Sequence, residues 1–154
     1  MTSPVDADIL YMRQALALAQ RAEDQGEVPV GALVVFEGTV IGEGWNQSIS
    51  THDPTAHAEV VALRAAASRH SNYRLMGASL YVTLEPCPMC AGAMVQARVA
   101  RVIYGSTDPI AGAAGTVFNI LAAPSLNHRP EVRGGILTQE CAHVLKSFFR
   151  ARRG

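Results

Sequence analysis

Apolar and polar positions alternate with two different periods along the chain. From Asp8 to Asp24, apolar residues including Leu10, Ala17 and Leu18 recur near helical spacing, and Gly26 follows, which predicts a helix over 8–24. Val28–Phe36 is apolar and β-branched, Glu37-Gly38 is a turn pair, and Thr39-Val40-Ile41 resumes an extended pattern to about Trp45. Two such runs around a two-residue turn predict a hairpin. Polar residues fill 46–53, and Asp53-Pro54-Thr55 reads as the cap and first turn of a second helix ending near Arg69. Leu80–Leu84 and Val99–Tyr104 predict strands. Between them, Pro88 stands where a first helical residue belongs, opening a helix to about Ala97. Residues 108–135 are rich in Gly, Ala and Pro and too long for a plain connector, so they are expected to line a site, with a short strand near Val132–Ile136. A helix over Thr138–Arg152 follows, with Cys141, Val144, Leu145 and Phe148 on its apolar side. This order predicts one α/β domain over 1–154, with a mixed sheet covered by helices on both faces.

Composition narrows the class. A chain of 154 residues with 49% hydrophobic and 17% charged residues is long enough for a core and too apolar for disorder. No apolar run reaches the roughly 18 residues of a membrane span. The first eight residues carry Asp6 and Asp8 and no base, unlike a secretory leader, so a cytoplasmic protein with no membrane partner is expected. Three cysteines argue for metal binding or burial rather than disulfides. The net charge is zero but unevenly spread: residues 1–60 hold nine acids and two bases, and residues 61–154 hold four acids and eleven bases. Such a split suggests a basic face for an anionic partner.

The chemistry concentrates in His57-Ala58-Glu59 and Pro86-Cys87-Pro88-Met89-Cys90, each at the start of a predicted helix. Cys87 and Cys90 are three apart and share one side of a helical turn, where the positive helix end favours thiolates. With His57 they make three zinc ligands, and a tetrahedral ion then keeps a fourth position for water, as catalytic rather than structural zinc does. Glu59 is the general acid–base candidate. Residues two apart do not share a helix face, so His57 and Glu59 reach one metal only if it lies off the helix end. A structural zinc would need a fourth ligand such as Cys141 or His52. Cys141 is expected instead to pack as a small apolar residue. Gly112-Ala113-Ala114-Gly115 lacks the Lys and Ser/Thr of a phosphate loop and reads as flexible backbone. In the last helix Lys146, Arg150 and Arg153 share a face interleaved with Phe148 and Phe149, a pattern suited to unpaired bases. Phe148 is assigned to the core and Phe149 to contact.

These two motifs match the cytidine deaminase-like zinc superfamily. Asp53–Glu59 and the closing Phe148-Phe149-Arg150 stretch resemble the bacterial tRNA-specific adenosine deaminases. The resemblance implies a three-layer α/β/α sandwich around a mixed five-stranded sheet and one Zn2+ per subunit. It also implies a homodimer and conversion of adenosine to inosine at the wobble position of a tRNA anticodon stem-loop. It assigns Asn46 to the flipped base, Asp108 to a neighbouring nucleotide, and Phe149 and Arg153 to the anticodon loop. Small residues Ala91, Gly92 and Ala93 are expected to form the dimer contact. A free-base or nucleoside deaminase, and a zinc-stabilised module without activity, stay open as alternatives.

Overall fold

The computed structural model describes residues 3–153, with backbone alone for Pro4, Val5 and Arg153. Four helices, α1 (Pro4–Asp24), α2 (Ala58–His70), α3 (Pro88–Ala97) and α4 (Thr138–Arg153), flank five strands. These are β1 (Gly31–Phe36), β2 (Thr39–Trp45), β3 (Ser79–Leu84), β4 (Arg101–Ser106) and β5 (Glu131–Arg133). The sheet order is β2-β1-β3-β4-β5, antiparallel at β2/β1 and β1/β3 and parallel at β3/β4 and β4/β5. It is the expected mixed five-stranded sheet. Glu37 (φ 49°) and Gly38 (φ 76°) close the β1–β2 hairpin with two left-handed residues, the turn whose twist suits a hairpin.

Strand alternation builds two cores. Ala32, Val34, Leu80, Val82 and Val102 face α2 and α3, while Leu33, Val35, Tyr81 and Ile103 face α1 and α4. On β2, Gly42 and Gly44 press against the α2 backbone so closely that a Cβ at either would collide with Ala58, Ala62 or Ala66 main-chain atoms. The missing side chains let α2 lie directly on the strand.

The buried stripe of α1 is Asp8, Met12, Ala15, Leu18, Ala19 and Ala22. Leu10 is 55% exposed and Ala17 is exposed, so the helix is rotated from the expected register. The buried face carries a charge, Asp8. Its carboxylate accepts from Tyr81 Oη (2.5 Å), Arg101 Nη2 (3.0 Å) and Arg133 Nη1 (3.2 Å), tying α1 to β3, β4 and β5. Part of the charge split in the sequence is therefore spent inside the molecule. Among the described residues no helix is long and apolar enough to cross a membrane.

Burial opposes ionisation of Asp8 most strongly, but hydrogen bonds from Arg101 and Tyr81 and the charges of Arg101 and Arg133 outweigh it and hold the carboxyl below its usual value. A depressed folded pKa stabilises above the unfolded value, near pH 4, and that stabilisation is lost as pH falls through the folded value. Asp8→Asn should cost about 3 kcal/mol at neutral pH, the low end for breaking a buried pair because both arginines stay partly exposed. Its urea midpoint should converge on that of the parent below pH 4.

Candidate active site

Both helix starts that carry the motifs lie at the sheet edge where parallel strands β3 and β4 end, the usual ligand position in such sheets. The second helix begins at Ala58, later than expected, because Asp53 Oδ1 accepts from the Thr55 amide (2.9 Å) and hydroxyl (2.7 Å) in a turn ahead of it. His57 is the extended N-cap residue and makes no side-chain cap, so its imidazole is free to turn away from the helix. Asn46 supplies the missing cap from the neighbouring loop. Its Oδ1 accepts from Ala58 N–H (2.9 Å) and its Nδ2 donates to the Val28 carbonyl (3.0 Å).

Cys87 is the N-cap of α3, Pro88 the first helical residue, and Cys90 the third. His57 Nδ1 lies 3.5 Å from both Cys87 Sγ and Cys90 Sγ, and the three ligand atoms all fall within 4.8 Å of one another. Zinc fits this set. Tetrahedral bonds of about 2.3 Å to sulfur and about 2.0 Å to nitrogen separate neighbouring S and N atoms by about 3.5 Å. Neither Cys141 nor His52 joins the group among the described residues. Cys141 is buried against Gly105, as expected of a packing residue. A hydrogen bond from Cys90 and the His57 imidazole lower the Cys87 thiol to about 4, while the bond to Cys87 and burial push Cys90 up. The hydrogen bond with Cys87 raises His57.

Glu59, the second residue of α2, is 4% exposed. Burial, more than any neighbour, pushes its carboxyl up to about 7. His57 and Glu59 approach the cysteines together because one precedes the helix and the other sits in its first turn.

A cavity of about 720 Å3 is walled by Asp108, Pro109 and Ile110 and by Lys146, Phe149 and Arg150 of α4. Val28, whose carbonyl accepts from Asn46, also lines it, while His57, Glu59, Cys87 and Cys90 do not. Asp108 and Phe149, singled out from the sequence, thus share one cavity. Phe149 is 46% exposed while Phe148 is buried under Arg152, whose guanidinium lies 4.6 Å from the ring centre. The Arg153 side chain lies outside the described residues. Lys146 and Arg150 make no ion pair among the described residues. The 112–115 segment is held rather than flexible: Ala113 N–H donates to the Pro86 carbonyl (2.8 Å) and Ala114 N–H to Glu85 (2.9 Å).

Residues 5–106 match the family model of the cytidine and deoxycytidylate deaminase zinc-binding region. A Haemophilus influenzae relative named tRNA-specific adenosine deaminase is 50% identical over 147 residues, covering 95% of this chain and 85% of the relative. The Bacillus subtilis protein of that name is 45% identical over 146 residues, covering 95% and 91%. A solved structure from a study of A-to-I editing by tRNA:A34 deaminases at the wobble position superposes with a TM-score of 0.84 at 42% identity, covering 87% of this chain and 97% of that one. The chain belongs to the tRNA-specific adenosine deaminase family. A guanine deaminase from Nitrosomonas europaea, at 21% identity and a TM-score of 0.74, shares the fold. The zinc-binding region of this family member contains all three ligand candidates.

Two buried glutamates of the deaminase escaped the sequence reading. Glu27 accepts from Ile49 N–H (3.1 Å) and Ser50 N–H (2.7 Å), holding the loop that carries Asn46. Glu85 accepts from Asp108 N–H (3.1 Å), Ala114 N–H (2.9 Å) and Thr116 N–H (3.1 Å), and from the Thr116 hydroxyl. Both are 2% exposed, and in both the donated bonds overcome burial and hold the carboxyl below its usual value. The sequence signal was thin: Glu85 stands between Leu84 and Pro86, and Glu27 between Gly26 and Val28.

His57→Ala and Cys87→Ala should each lose stoichiometric zinc, measured by elemental analysis after dialysis. Full retention by either would contradict the ligand set.

Proposed function

We propose that this zinc deaminase converts adenosine to inosine in a tRNA anticodon loop, with His57, Cys87 and Cys90 as the zinc ligands and Glu59 as the proton carrier. The observation that carries the reading is the placement of Glu59: a carboxyl buried in the first turn of α2, two residues from His57 of the imidazole–dithiol group. Zinc supplies the Lewis acidity that makes a water molecule nucleophilic near neutral pH. Glu59 accepts the proton of the attacking water and delivers it to purine N1. Attack at C6 makes that carbon tetrahedral. Glu59 then takes the proton of the new C6 hydroxyl and passes it to the amine, which departs as ammonia and leaves inosine with its proton on N1.

Asn46 spends one N–H and one lone pair on its cap, and the second N–H and lone pair remain for the base. A base must be extruded to reach Glu59, which favours an unpaired loop over a duplex. The neighbouring cavity suits the adjoining nucleotide: Phe149 offers a stacking face, Lys146 and Arg150 offer charge to phosphate, and Asp108 offers a hydrogen-bond acceptor. The resemblance assigns Arg153, whose side chain lies outside the described residues, to the anticodon loop as well. One domain carries both zinc chemistry and RNA recognition, and the cytoplasm, where tRNA is handled, is the compartment proposed.

A second copy of the chain is assigned to the α2–α3 face. Leu63, Tyr73, Ala93 and Ala97 line a shallow concavity there, Tyr73 is 71% exposed, and a Cβ at Gly92 would meet nothing within 4 Å. Ala91, expected in that contact, is buried in the core instead.

Zinc-loaded enzyme incubated with an adenosine-bearing anticodon stem-loop should form inosine, read by mass, with little turnover of free adenosine, cytidine or guanine. Equal use of the free compounds would favour a small-molecule deaminase. Glu59→Gln should keep zinc and RNA binding and lose at least about 100-fold in turnover. Phe149→Ala should weaken RNA turnover alone, a cleaner test than truncating α4, which would remove the buried Phe148. Sedimentation should give a dimer at micromolar concentration, and a monomer would sink the homodimer assignment.

A further inference from the structure

The loop after β4 has little apolar side chain to anchor it, yet it forms one wall of the RNA cavity. What holds it is Glu85. Four donors converge on that carboxylate, from Asp108, Ala114 and Thr116, and no cation pairs with it among the described residues. Gly112 is pressed against it: a Cβ there would lie 2.5 Å from the carboxyl carbon. Glu85 itself lines none of the cavity and does not belong to the zinc-ligand group.

The grip is passed on through Asp108. Its N–H is held by Glu85 Oε1, and its own Oδ1 accepts from Ile110 N–H (2.9 Å) and Ala111 N–H (3.2 Å). These bonds set the turn that faces Lys146, Phe149 and Arg150, and Asp108 Oδ2 takes no partner among the described residues. Every donor around Glu85 needs an acceptor. An amide in its place would aim an N–H at another N–H and leave at least one donor unmet.

We infer that Glu85 is a positioning residue for RNA, acting through the backbone of residues 107–118 to hold Asp108 against the nucleotide that adjoins the target base. This rests on the RNA reading above. The role is specificity and binding, with no part in the proton transfers.

The test uses the full zinc-loaded chain, an adenosine-bearing anticodon stem-loop, and the same stem-loop made abasic at each flanking nucleotide in turn. Glu85→Gln should raise KM about tenfold, the cost of a lost charge-assisted hydrogen bond. It should leave kcat and zinc content close to the parent. Removing a flanking base should weaken the parent at one of the two positions and add little further loss in Glu85→Gln. Thr116→Val keeps the carboxylate and removes one donor, so it should show the same pattern with a smaller KM change. It decides the matter if Glu85→Gln fails to melt cooperatively. A fall in kcat at unchanged KM, or an abasic penalty equal to that of the parent, would overturn the inference. Absence of inosine with the parent enzyme would instead overturn the RNA reading on which it stands.

Discussion

Two helix N-termini aimed at one point repel each other unless negative charge lies between them. Here α2 and α3 converge with Cys87, Cys90 and Glu59 in the gap, and the Cys87 thiol, held far below its usual value, supplies negative charge to the aligned dipoles of both ends. The same arrangement brings an imidazole and two thiols within zinc-binding distance of one another. The fold serves this convergence. Parallel strands β3 and β4 end beside it, the β1–β2 hairpin carries Asn46 to the α2 cap, and the loop after β4 closes the side next to α4.

Four acids are buried: Asp8, Glu27, Glu59 and Glu85. Their surroundings sort them by task. Asp8 has two arginines and a phenol, and Glu27 and Glu85 have backbone amides, so each keeps its charge and serves as a fastener. Glu59 lacks such a set of donors, burial dominates, and its carboxyl moves toward neutrality. The proton carrier proposed for Glu59 needs a group near balance between its two forms, and a fastener does not. Burial alone therefore does not distinguish scaffold from chemistry; the donor set does.

The strands, the hairpin and the His57, Cys87 and Cys90 cluster were legible in the sequence because period, turn chemistry and ligand spacing are local signals. What was illegible depended on distant partners. Asp8 sits on a helix face that should be apolar, and the arginines that explain it lie 93 and 125 residues away. The start of α2 was placed too early because its cap comes from Asn46, twelve residues before, rather than from Asp53. Glu27 and Glu85 bind main-chain amides, which leave no side-chain pattern to read. The basic half of the chain suggested in bulk one basic face for an anionic partner. Arg101 and Arg133 are consumed by Asp8, Arg64 pairs with Asp53, and Arg129 donates to the carbonyls of Pro124 and Leu126. The cations that face the cavity are the pair on α4, Lys146 and Arg150.

The glycines of β2 have a consequence beyond packing. Because Gly42 and Gly44 touch the α2 backbone with nothing between, the distance from strand to helix is a hard stop set by main-chain atoms on both sides. A cushion of side chains can creep and repack, and a bare contact cannot. The imidazole at the tip of α2 is thereby gauged against the sheet whose strand β3 leads into α3 and its two thiols. The reach from nitrogen to sulfur is calibrated by atoms this protein leaves out.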